Sequence, residues 1–253
     1  MSAVRPDVLV IAGYDPSGGA GLIADIKTLE MNKVYGFGVC SALTYQNDKK
    51  FDDVEWLPVE KIIRQIKILS GRYNFGIVKI GLIEIIDTLL PVIDYLITRN
   101  KNTRIIWDPI LKSSSGFSFH NNVADNFFKN IINKLYLITP NIDEAKALTG
   151  NTKNPVQEMP GITKNNNCSV LLKGGHIKGN TRDDILFSNE DQVTFSGSFI
   201  AGYDKHGTGC VLSSAIAAGL AIGRTLEESC RYAKEYTRKF ILSNKTLLGY
   251  HYE

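Results

Sequence analysis

Short apolar runs rich in β-branched residues alternate along this 253-residue chain with longer segments of helical period. The runs include VLVIAG at 8–13, GIVKIG at 76–81 and RIIWDP at 104–109, and segments that repeat apolar residues every three or four positions follow them. Parallel strands need long crossover connections, which are usually helices. The alternation therefore predicts an α/β fold, with helices on both faces of a mostly parallel central sheet.

Three further patterns complete the expected layout. The runs DDILFS and QVTFSGS predict a small hairpin late in the chain. The stretch at 151–167, NTKNPVQEMPGITKNNN, is polar and contains two prolines, which predicts a loop. No linker or repeat interrupts the alternation, so we expect one domain over residues 1–253.

Composition excludes several classes of function. With 43% hydrophobic residues, 22% charged residues and a net charge of +3, the chain is typical of an ordinary globular protein. It has no run of basic residues that would indicate nucleic-acid or membrane-surface binding. No apolar run approaches a membrane span, and the N-terminal patch at 8–13 is too short for a secretion signal. These features predict a cytoplasmic protein.

The four cysteines point to neither zinc nor disulfides. None forms a C-x-x-C pair, and no histidine tract accompanies them. Cys40 and Cys168 lie in apolar runs and are expected in the core. Cys210 differs, because it stands where a helix is expected to begin.

Polar residues or glycines follow most of the apolar runs. They are Asp15, Gln46, Gly81, Asp108, Asn141 and Gly174. Ligands of parallel α/β sheets bind beyond the carboxyl ends of the strands, so this pattern predicts a site at one edge of the sheet. The alternative is that the residues only form turns, which are commonly polar.

The sequence HGTGC at 206–210 is the sharpest local signal. Gly207 and Gly209 allow successive amides to point toward one oxyanion, and the dipole of the following helix favours the same charge. Thr208 adds a hydroxyl donor, and the helix start is expected to favour the Cys210 thiolate. Two alternatives are a tight turn with a buried cysteine and a cysteine hydrolase using His206 or His176 as base.

The sequence GGAGLIA at 18–24 contains the G-x-G-x-x-A pattern of dinucleotide-binding folds. However, Gly19 lies six positions beyond Gly13, and Gln46 and Asn47 stand where an acidic ribose partner is expected. The glycines are better explained as letting backbone N–H groups approach a substrate at a helix N-terminus.

Oxygen-bearing residues and a lysine follow the central runs. Asp108, Asn141 and Glu144 carry the hard oxygen ligands that Mg²⁺ takes near phosphates. Asp143 is expected to act only as a helix first-turn acid. Lys173 would neutralise phosphate charge, or else extend its ammonium group to solvent.

Seven motifs in order resemble one known family: VIAGYDPSGGAGLIADIKT, ALTYQN, VKIGL, WDPIL, ITPNIDEAKALTG, VLLKGGH and HGTGCVLSSAIAAGLA. Together they are similar to the hydroxymethylpyrimidine/phosphomethylpyrimidine kinases of thiamine biosynthesis, in the ribokinase-like superfamily, over residues 7–240. The resemblance implies a three-layer α/β/α sandwich and ATP-dependent phosphorylation of a pyrimidine alcohol, then of its monophosphate. It also implies a homodimer.

The resemblance assigns roles to individual residues. Cys210 would deprotonate or orient the substrate hydroxyl, a modest task because phosphoryl transfer depends mostly on positioning. Gln46 would hydrogen-bond the aminopyrimidine ring, with Leu82 packing on that ring. The remaining assignments are Gly207, Thr208 and Gly209 to the anion hole, Asp15 and Gly19 to the substrate loop, Asn141, Lys173 and Glu144 to ATP phosphates, and Asp108 and Glu144 to Mg²⁺.

The chain departs from the family pattern at several points. Tyr14 and Tyr45 replace small residues, and LKSSSG at 111–116 and the short 151–167 segment differ from the usual sequences. Two alternative functions therefore stay open. One is a pyridoxal or pyridoxine kinase on the same fold, although Gln46 favours the pyrimidine. The other is a non-catalytic ligand sensor, against which the intact phosphate-binding set argues.

Overall fold

The computed structural model describes residues 4–113, 116–120, 125–178, 181–189, 191–197 and 204–252. Within this part of the chain, nine strands form one sheet. They are β1 (Asp7–Tyr14), β2 (Tyr35–Gln46), β3 (Phe51–Trp56), β4 (Ile77–Ile80), β5 (Arg104–Trp107), β6 (Leu137–Ile138), β7 (Ser169–Lys178), β8 (Thr181–Ser188) and β9 (Asp191–Phe195).

The strand order is β3-β2-β1-β4-β5-β6-β7-β8-β9. The strands from β2 to β7 in this order pair in parallel, whereas β3, β8 and β9 pair antiparallel at the two edges. The prediction of a mostly parallel sheet is confirmed, as is the late hairpin, which is β8–β9. The edge strand β3 was not expected, because FDDVEW is short and mostly charged.

Helices connect the parallel strands and cover both faces of the sheet. They are α1 (Gly21–Met31), α2 (Val59–Ser70), α3 (Leu90–Arg99), α4 (Asp125–Ile131), α5 (Ile142–Thr149), α6 (Met159–Asn165), α7 (Thr208–Ala221) and α8 (Leu226–Leu242). Short segments of other helix type precede or follow some of them: a π-helix (Ile85–Leu89) and two 3-10 helices (Ile132–Lys134 and Pro155–Glu158).

Strand β1 shows how the sheet supplies two cores. Successive side chains of a strand point to opposite faces. Leu9 and Ile11 pack in the cluster that holds α2 and α3, whereas Val8 and Val10 pack in the cluster that holds α7 and α8. Because both faces of β1 are buried, its sequence is continuously apolar rather than alternating. The expected three-layer architecture follows.

The prediction of a loop over 151–167 is wrong in part. The segment contains the 3-10 helix at Pro155–Glu158 and helix α6 at Met159–Asn165. Both begin with proline in their first turn, where its missing N–H costs nothing. Met159 and Thr163, four positions apart, are buried. Burial on one face thus stabilises a helix that the polar composition did not indicate.

Among the helices described here, none combines the length and the apolar character that crossing a lipid bilayer requires.

Candidate active site

A cavity of about 1460 Å³ runs along the edge of the sheet where the parallel strands end. Four of the six residues predicted at strand ends line it, namely Gln46, Asp108, Asn141 and Gly174, whereas Asp15 and Gly81 do not. Most residues singled out from the sequence line its wall: Gln46, Leu82, Asp108, Asn141, Glu144, Lys173, Gly207, Thr208, Gly209 and Cys210.

The N-terminus of α7 forms one wall of the cavity. Gly207 caps this 14-residue helix in the left-handed region, with a φ of 79°, and no side chain caps the first-turn N–H groups. A β carbon on Gly207 would lie 2.1 Å from the carbonyl oxygen of Gly19. Only glycine at position 207 therefore allows the turn before α7 to lie this close to the loop that contains Gly19. The uncapped N–H groups at a helix N-terminus favour an anion.

Cys210 lies in the first turn of α7 and lines the cavity, yet it is only 5% exposed. Burial raises the pKa of its thiol to about 12, although the Lys79 ammonium and a hydrogen bond involving the Gly21 backbone act in the opposite direction. The expectation that the helix start favours the thiolate is therefore wrong. Desolvation outweighs the helix N-terminus, and Cys210 is a neutral thiol at pH 7.

Lys173 joins two carboxylates beside α7. Its Nζ lies 2.8 Å from Oδ1 of Asp108 and 3.6 Å from Oε2 of Glu144. Thr139 donates a second hydrogen bond to Oδ1 of Asp108, and Ser213 donates one to Oδ2. All three charged groups are largely buried, so their mutual attraction is weakly screened by solvent.

The environment separates the pKa values of the two carboxyl groups. Burial opposes ionisation of Asp108, but the ammonium groups of Lys173 and Lys79 outweigh it and hold the pKa of Asp108 below its ordinary value. Burial, with Asp108 acting in the same direction, raises the pKa of Glu144. Asp108 therefore loses its proton at a lower pH than Glu144 does. A cation that binds nearby would favour the ionised form of Glu144.

Asn141 and Glu144 also shape the backbone, because they form a capping box at the start of α5. The Asn141 side chain accepts a hydrogen bond from the Glu144 N–H at 2.9 Å, and Glu144 accepts one from the Asn141 N–H at 2.7 Å. Asp143 is exposed and pairs with Lys146, which fits its expected role as a first-turn acid.

Asp15 and Gly19 do not line the cavity, contrary to the expected contact with substrate. The carboxylate of Asp15 is buried and accepts hydrogen bonds from the N–H groups of Ser17 and Ala20, both at 2.9 Å. Its Oδ2 also lies 2.9 Å from Nε2 of His206. Asp15 therefore ties the 15–20 loop to the residue before Gly207.

The loop contacts of Asp15 predict a pH-dependent stability. Asp15→Asn is expected to lower the free energy of unfolding by about 1–3 kcal/mol at pH 7. Burial opposes ionisation, but the bonds from His206, Ser17 and Ala20 hold the pKa of Asp15 below its ordinary value. Its contribution is therefore complete above about pH 4 and is lost as the pH falls through the folded pKa. Urea unfolding at several pH values measures it.

Asp143→Asn is the matched control, because Asp143 is exposed. Its change in unfolding free energy is expected to stay within about 0.5 kcal/mol. A deficit of Asp15→Asn that persisted unchanged at low pH would contradict the role given to the ionised carboxylate.

Gln46, at the end of β2, and Leu82, two residues beyond β4, both line the cavity. The amide Nε2 of Gln46 donates a hydrogen bond to Oγ1 of Thr44 at 2.8 Å, and Thr44 donates in turn to the carbonyl of Tyr14. Leu82 packs against Gly13, where a β carbon would lie 2.9 Å from its Cδ2. The site therefore offers a fixed carboxamide beside an apolar surface.

A buried ion pair behind Cys210 was not predicted. Lys79 and Asp25 are fully buried, with Nζ 2.8 Å from Oδ2, and Ser214 donates a hydrogen bond to Oδ1 of Asp25. Burial disfavours the ammonium, but the carboxylates of Asp25 and Asp108 raise the pKa of Lys79, which stays charged. The available signal was a lysine inside the apolar run IVKI.

The segment after α8 also reaches the site, although its sequence carries no recognisable motif. The N–H of His206 donates to the carbonyl of Leu247 at 2.9 Å, and Nζ of Lys205 donates to the carbonyl of Thr246 at 2.7 Å. Leu247 itself lines the cavity. These contacts support the loop that precedes α7.

Known proteins resemble this chain over most of its length. A family model described as phosphomethylpyrimidine kinase matches residues 15–252. The hydroxymethylpyrimidine/phosphomethylpyrimidine kinase of Aquifex aeolicus is 35% identical over 251 residues, which cover 94% of this chain and 95% of that protein.

Solved structures agree with these matches. A phosphomethylpyrimidine kinase from Clostridium difficile 630 has 32% identity and a TM-score of 0.77, covering 93% of this chain and 99% of that one. A pyridoxal kinase from Staphylococcus aureus in complex with ADP has a TM-score of 0.81 at 22% identity, covering 95% and 89%, and supports the fold alone. The ribokinase-like fold prediction is confirmed, and the chain belongs to the phosphomethylpyrimidine kinase family.

Proposed function

We propose that this protein phosphorylates 4-amino-5-hydroxymethyl-2-methylpyrimidine with ATP, then phosphorylates the monophosphate to the pyrophosphate, in thiamine biosynthesis. The observation that carries the proposal is that the glycine turn at 207–209 lies against the charged groups of Lys173 and Asp108. A β carbon on Gly209 would lie 3.4 Å from Nζ of Lys173 and 3.5 Å from Oδ2 of Asp108. Amide donors, an ammonium and a carboxylate thus meet within one cavity that also holds Cys210.

Phosphoryl transfer needs positioning and charge stabilisation more than covalent chemistry. The N–H groups of Gly207, Thr208 and Gly209 would hold the transferring phosphoryl group, with Lys173 and Asn141 binding ATP phosphates. Lys173 is suited to this role because Asp108 and Glu144 raise its pKa against the effect of burial, which keeps it protonated. The arrangement is preorganised, since these groups are held by the fold before any ligand binds.

Cys210 would orient the substrate hydroxyl. A neutral thiol is a poor base, but in a loose transition state the hydroxyl proton need not leave before the phosphoryl group arrives. A sulfur at the end of the cavity can accept a hydrogen bond from the hydroxyl and fix its direction. Gln46 would bind the aminopyrimidine ring, because a carboxamide presents both a donor and an acceptor.

The carboxylates of Asp108 and Glu144 suit a Mg²⁺ ion that binds together with ATP. Among the residues described, no group of three or more histidine, cysteine, aspartate or glutamate side chains is arranged to hold a metal ion. Mg²⁺ commonly takes one or two carboxylates together with substrate phosphates and water. Asp108 and Glu144 would be those carboxylates, and the ion would neutralise phosphate charge. A cytoplasmic homodimer completes the proposal, supported by the family resemblance.

The test is ATP consumption with hydroxymethylpyrimidine, its monophosphate and pyridoxine in parallel, for the wild type and Cys210→Ala. We expect turnover with both pyrimidines. Cys210→Ala is expected to lower kcat about 100-fold, with the KM for ATP unchanged, because an orienting contact to the hydroxyl is lost. Turnover with pyridoxine alone would indicate a pyridoxine kinase. No turnover with any of the three compounds would favour a non-catalytic ligand sensor.

Cys168→Ala is the matched control for the thiol. Cys168 is buried in the core on the opposite side of the sheet from α7 and does not line the cavity. Its loss is expected to leave kcat within about twofold. Equal losses in the two variants would mean that Cys210 acts through packing.

A further inference from the structure

The second turn of α7 is bonded to a charged pair that the proposed mechanism does not use. Ser214 donates a hydrogen bond of 2.7 Å to Oδ1 of Asp25, which belongs to α1. Nζ of Lys79, from β4, lies 2.8 Å from the other carboxylate oxygen, Oδ2. All three side chains are fully buried, and none of them lines the cavity. We call Lys79, Asp25 and Ser214 the buried anchor.

Stability alone does not account for the charges of the buried anchor. An ion pair without exposed surface contributes little to stability, because the desolvation of both charges offsets their attraction, and apolar side chains of similar volume are often as stable. Lys79 interrupts the apolar run IVKI, where an aliphatic side chain would pack. The hydrogen bond from Ser214 is the contact that joins the pair to α7. A role in holding this helix is therefore indicated.

The buried anchor acts on the part of α7 that carries the thiol. Residues four positions apart share a face of a helix, so Ser214 lies one turn after Cys210 on the same side. The neighbouring Ser213 makes a longer contact, 3.3 Å, with Oδ2 of Asp108, and it also bonds to the carbonyls of Gly209 and Cys210 within the helix. The Ser214 bond is thus the shorter of the two serine contacts that join this part of α7 to aspartates of other elements.

We propose that Ser214 and Asp25 are positioning residues for phosphoryl transfer, whose hydrogen bond sets where the first turn of α7 lies, while Lys79 neutralises the buried carboxylate. This inference rests on the proposed function, in which that turn holds the transferring phosphoryl group and Cys210 orients the acceptor hydroxyl. Catalytic groups must be held by a supporting layer of contacts, because a displacement of about 1 Å can lower the rate about 100-fold.

Loss of the anchor has a chemical signature. When the turn and the thiol are displaced, the alcohol is no longer aligned with the phosphoryl group, and water competes with it as the acceptor. In that side reaction the bond between the γ-phosphorus of ATP and its bridging oxygen breaks, and a bond to the water oxygen forms. The products are ADP and inorganic phosphate, and the proton of the water passes to solvent. ADP is then formed in excess of the phosphorylated alcohol.

The partition of ATP between the alcohol and water tests the contact. ADP and phosphorylated pyrimidine are measured in the same reaction with hydroxymethylpyrimidine, for the wild type and Ser214→Ala. The wild type is expected to form the two in equal amounts. In Ser214→Ala we expect kcat for the pyrimidine to fall about 10-fold and ADP to exceed the phosphorylated product at least about twofold. A smaller folded fraction would lower both products together, so their ratio separates positioning from stability.

Ser229→Ala is the matched control. Ser229 is as buried as Ser214, and its hydroxyl also donates a bond of 2.7 Å, but to the carbonyl of Thr225 at the start of α8. A β carbon on Gly219 would lie 2.7 Å from this hydroxyl, so Ser229 packs on the far end of α7. Its loss is expected to leave kcat within about twofold and the ratio of ADP to product at one.

The double variant Lys79→Met/Asp25→Leu removes the acceptor without leaving an unpaired charge. Leucine has the same branching of heavy atoms as aspartate, and apolar replacements of a buried pair are often as stable as the pair itself. Ser214 then has no acceptor on α1. We expect the same excess of ADP as in Ser214→Ala, with no further increase when the two changes are combined, because both remove one contact.

A ratio of one in Ser214→Ala would overturn the positioning role, whatever its kcat, and so would an equal excess of ADP in Ser229→Ala. If Ser214→Ala did not fold, the ratio in Lys79→Met/Asp25→Leu would decide in the same way. If the wild type phosphorylated neither pyrimidine, the proposed function would fail, and this inference with it. Normal wild-type transfer with an unchanged ratio in the variants would refute the inference alone.

Discussion

Gly207→Ala is expected to lower kcat/KM for phosphoryl transfer about 1000-fold, the size of effect seen when an oxyanion donor is lost. The added β carbon would lie 2.1 Å from the carbonyl oxygen of Gly19, and the residue would have to keep a φ of 79°. The turn must therefore move away from the 15–20 loop, and the N–H groups that follow Gly207 move with it. Steady-state kinetics with ATP and the pyrimidine alcohol measure the loss.

Gly223→Ala controls for backbone strain. Gly223 follows α7 with a φ of 91°, and a β carbon there would meet no atom within 4 Å. It is expected to cost about 1–2 kcal/mol of unfolding free energy, without a change in kcat/KM. If the two alanine variants lost the same activity, general destabilisation rather than displacement of the turn would explain the Gly207 result.

Lys79→Met is expected to lower the free energy of unfolding by about 3–5 kcal/mol, because it leaves the buried carboxylate of Asp25 without its counter-ion. Both side chains have no exposed surface, so water cannot replace the lost ammonium. Ser214 alone would still donate to Asp25. Urea unfolding monitored by circular dichroism measures the change.

The double variant Lys79→Met/Asp25→Asn tests the cause of that loss. Removing both charges is expected to recover more than half of the unfolding free energy. As a surface control, Lys134→Met breaks the partly exposed pair with Asp94 and should cost less than about 1 kcal/mol. If the double variant were no more stable than Lys79→Met, the lysine would contribute through packing rather than charge.

The position of the site was predictable because parallel pairing imposes it. Once Gln46, Asp108 and Asn141 are assigned to strand ends, the common direction of the strands brings them to one edge. The start of α5 was predictable from the sequence as well, since Asn141 and Glu144 have the spacing of a capping box. Such predictions need only local periodicity and one rule of topology.

The roles of Asp15 and Cys210 were not predictable, because they depend on residues distant in the chain. Asp15 bonds to His206, 191 positions away, and no local pattern indicates that pairing. The pKa of Cys210 is set mainly by desolvation, which arises only when α1, β4 and α7 pack together. Helix α6 was missed for the same kind of reason, since its buried face is defined by tertiary contacts.

Phe51, Trp56, Phe117, Phe119 and His120 form a cluster of aromatic rings. Its rings come from β3 and residues 117–120, whereas the phosphate-binding groups of the proposed mechanism come mainly from α5, β7 and the start of α7. Substitutions in one set leave the contacts of the other intact. Under the proposed function, substitutions of Phe119 and His120, the two rings of this cluster that line the cavity, would change the alcohol side of the site without altering the phosphate-binding groups.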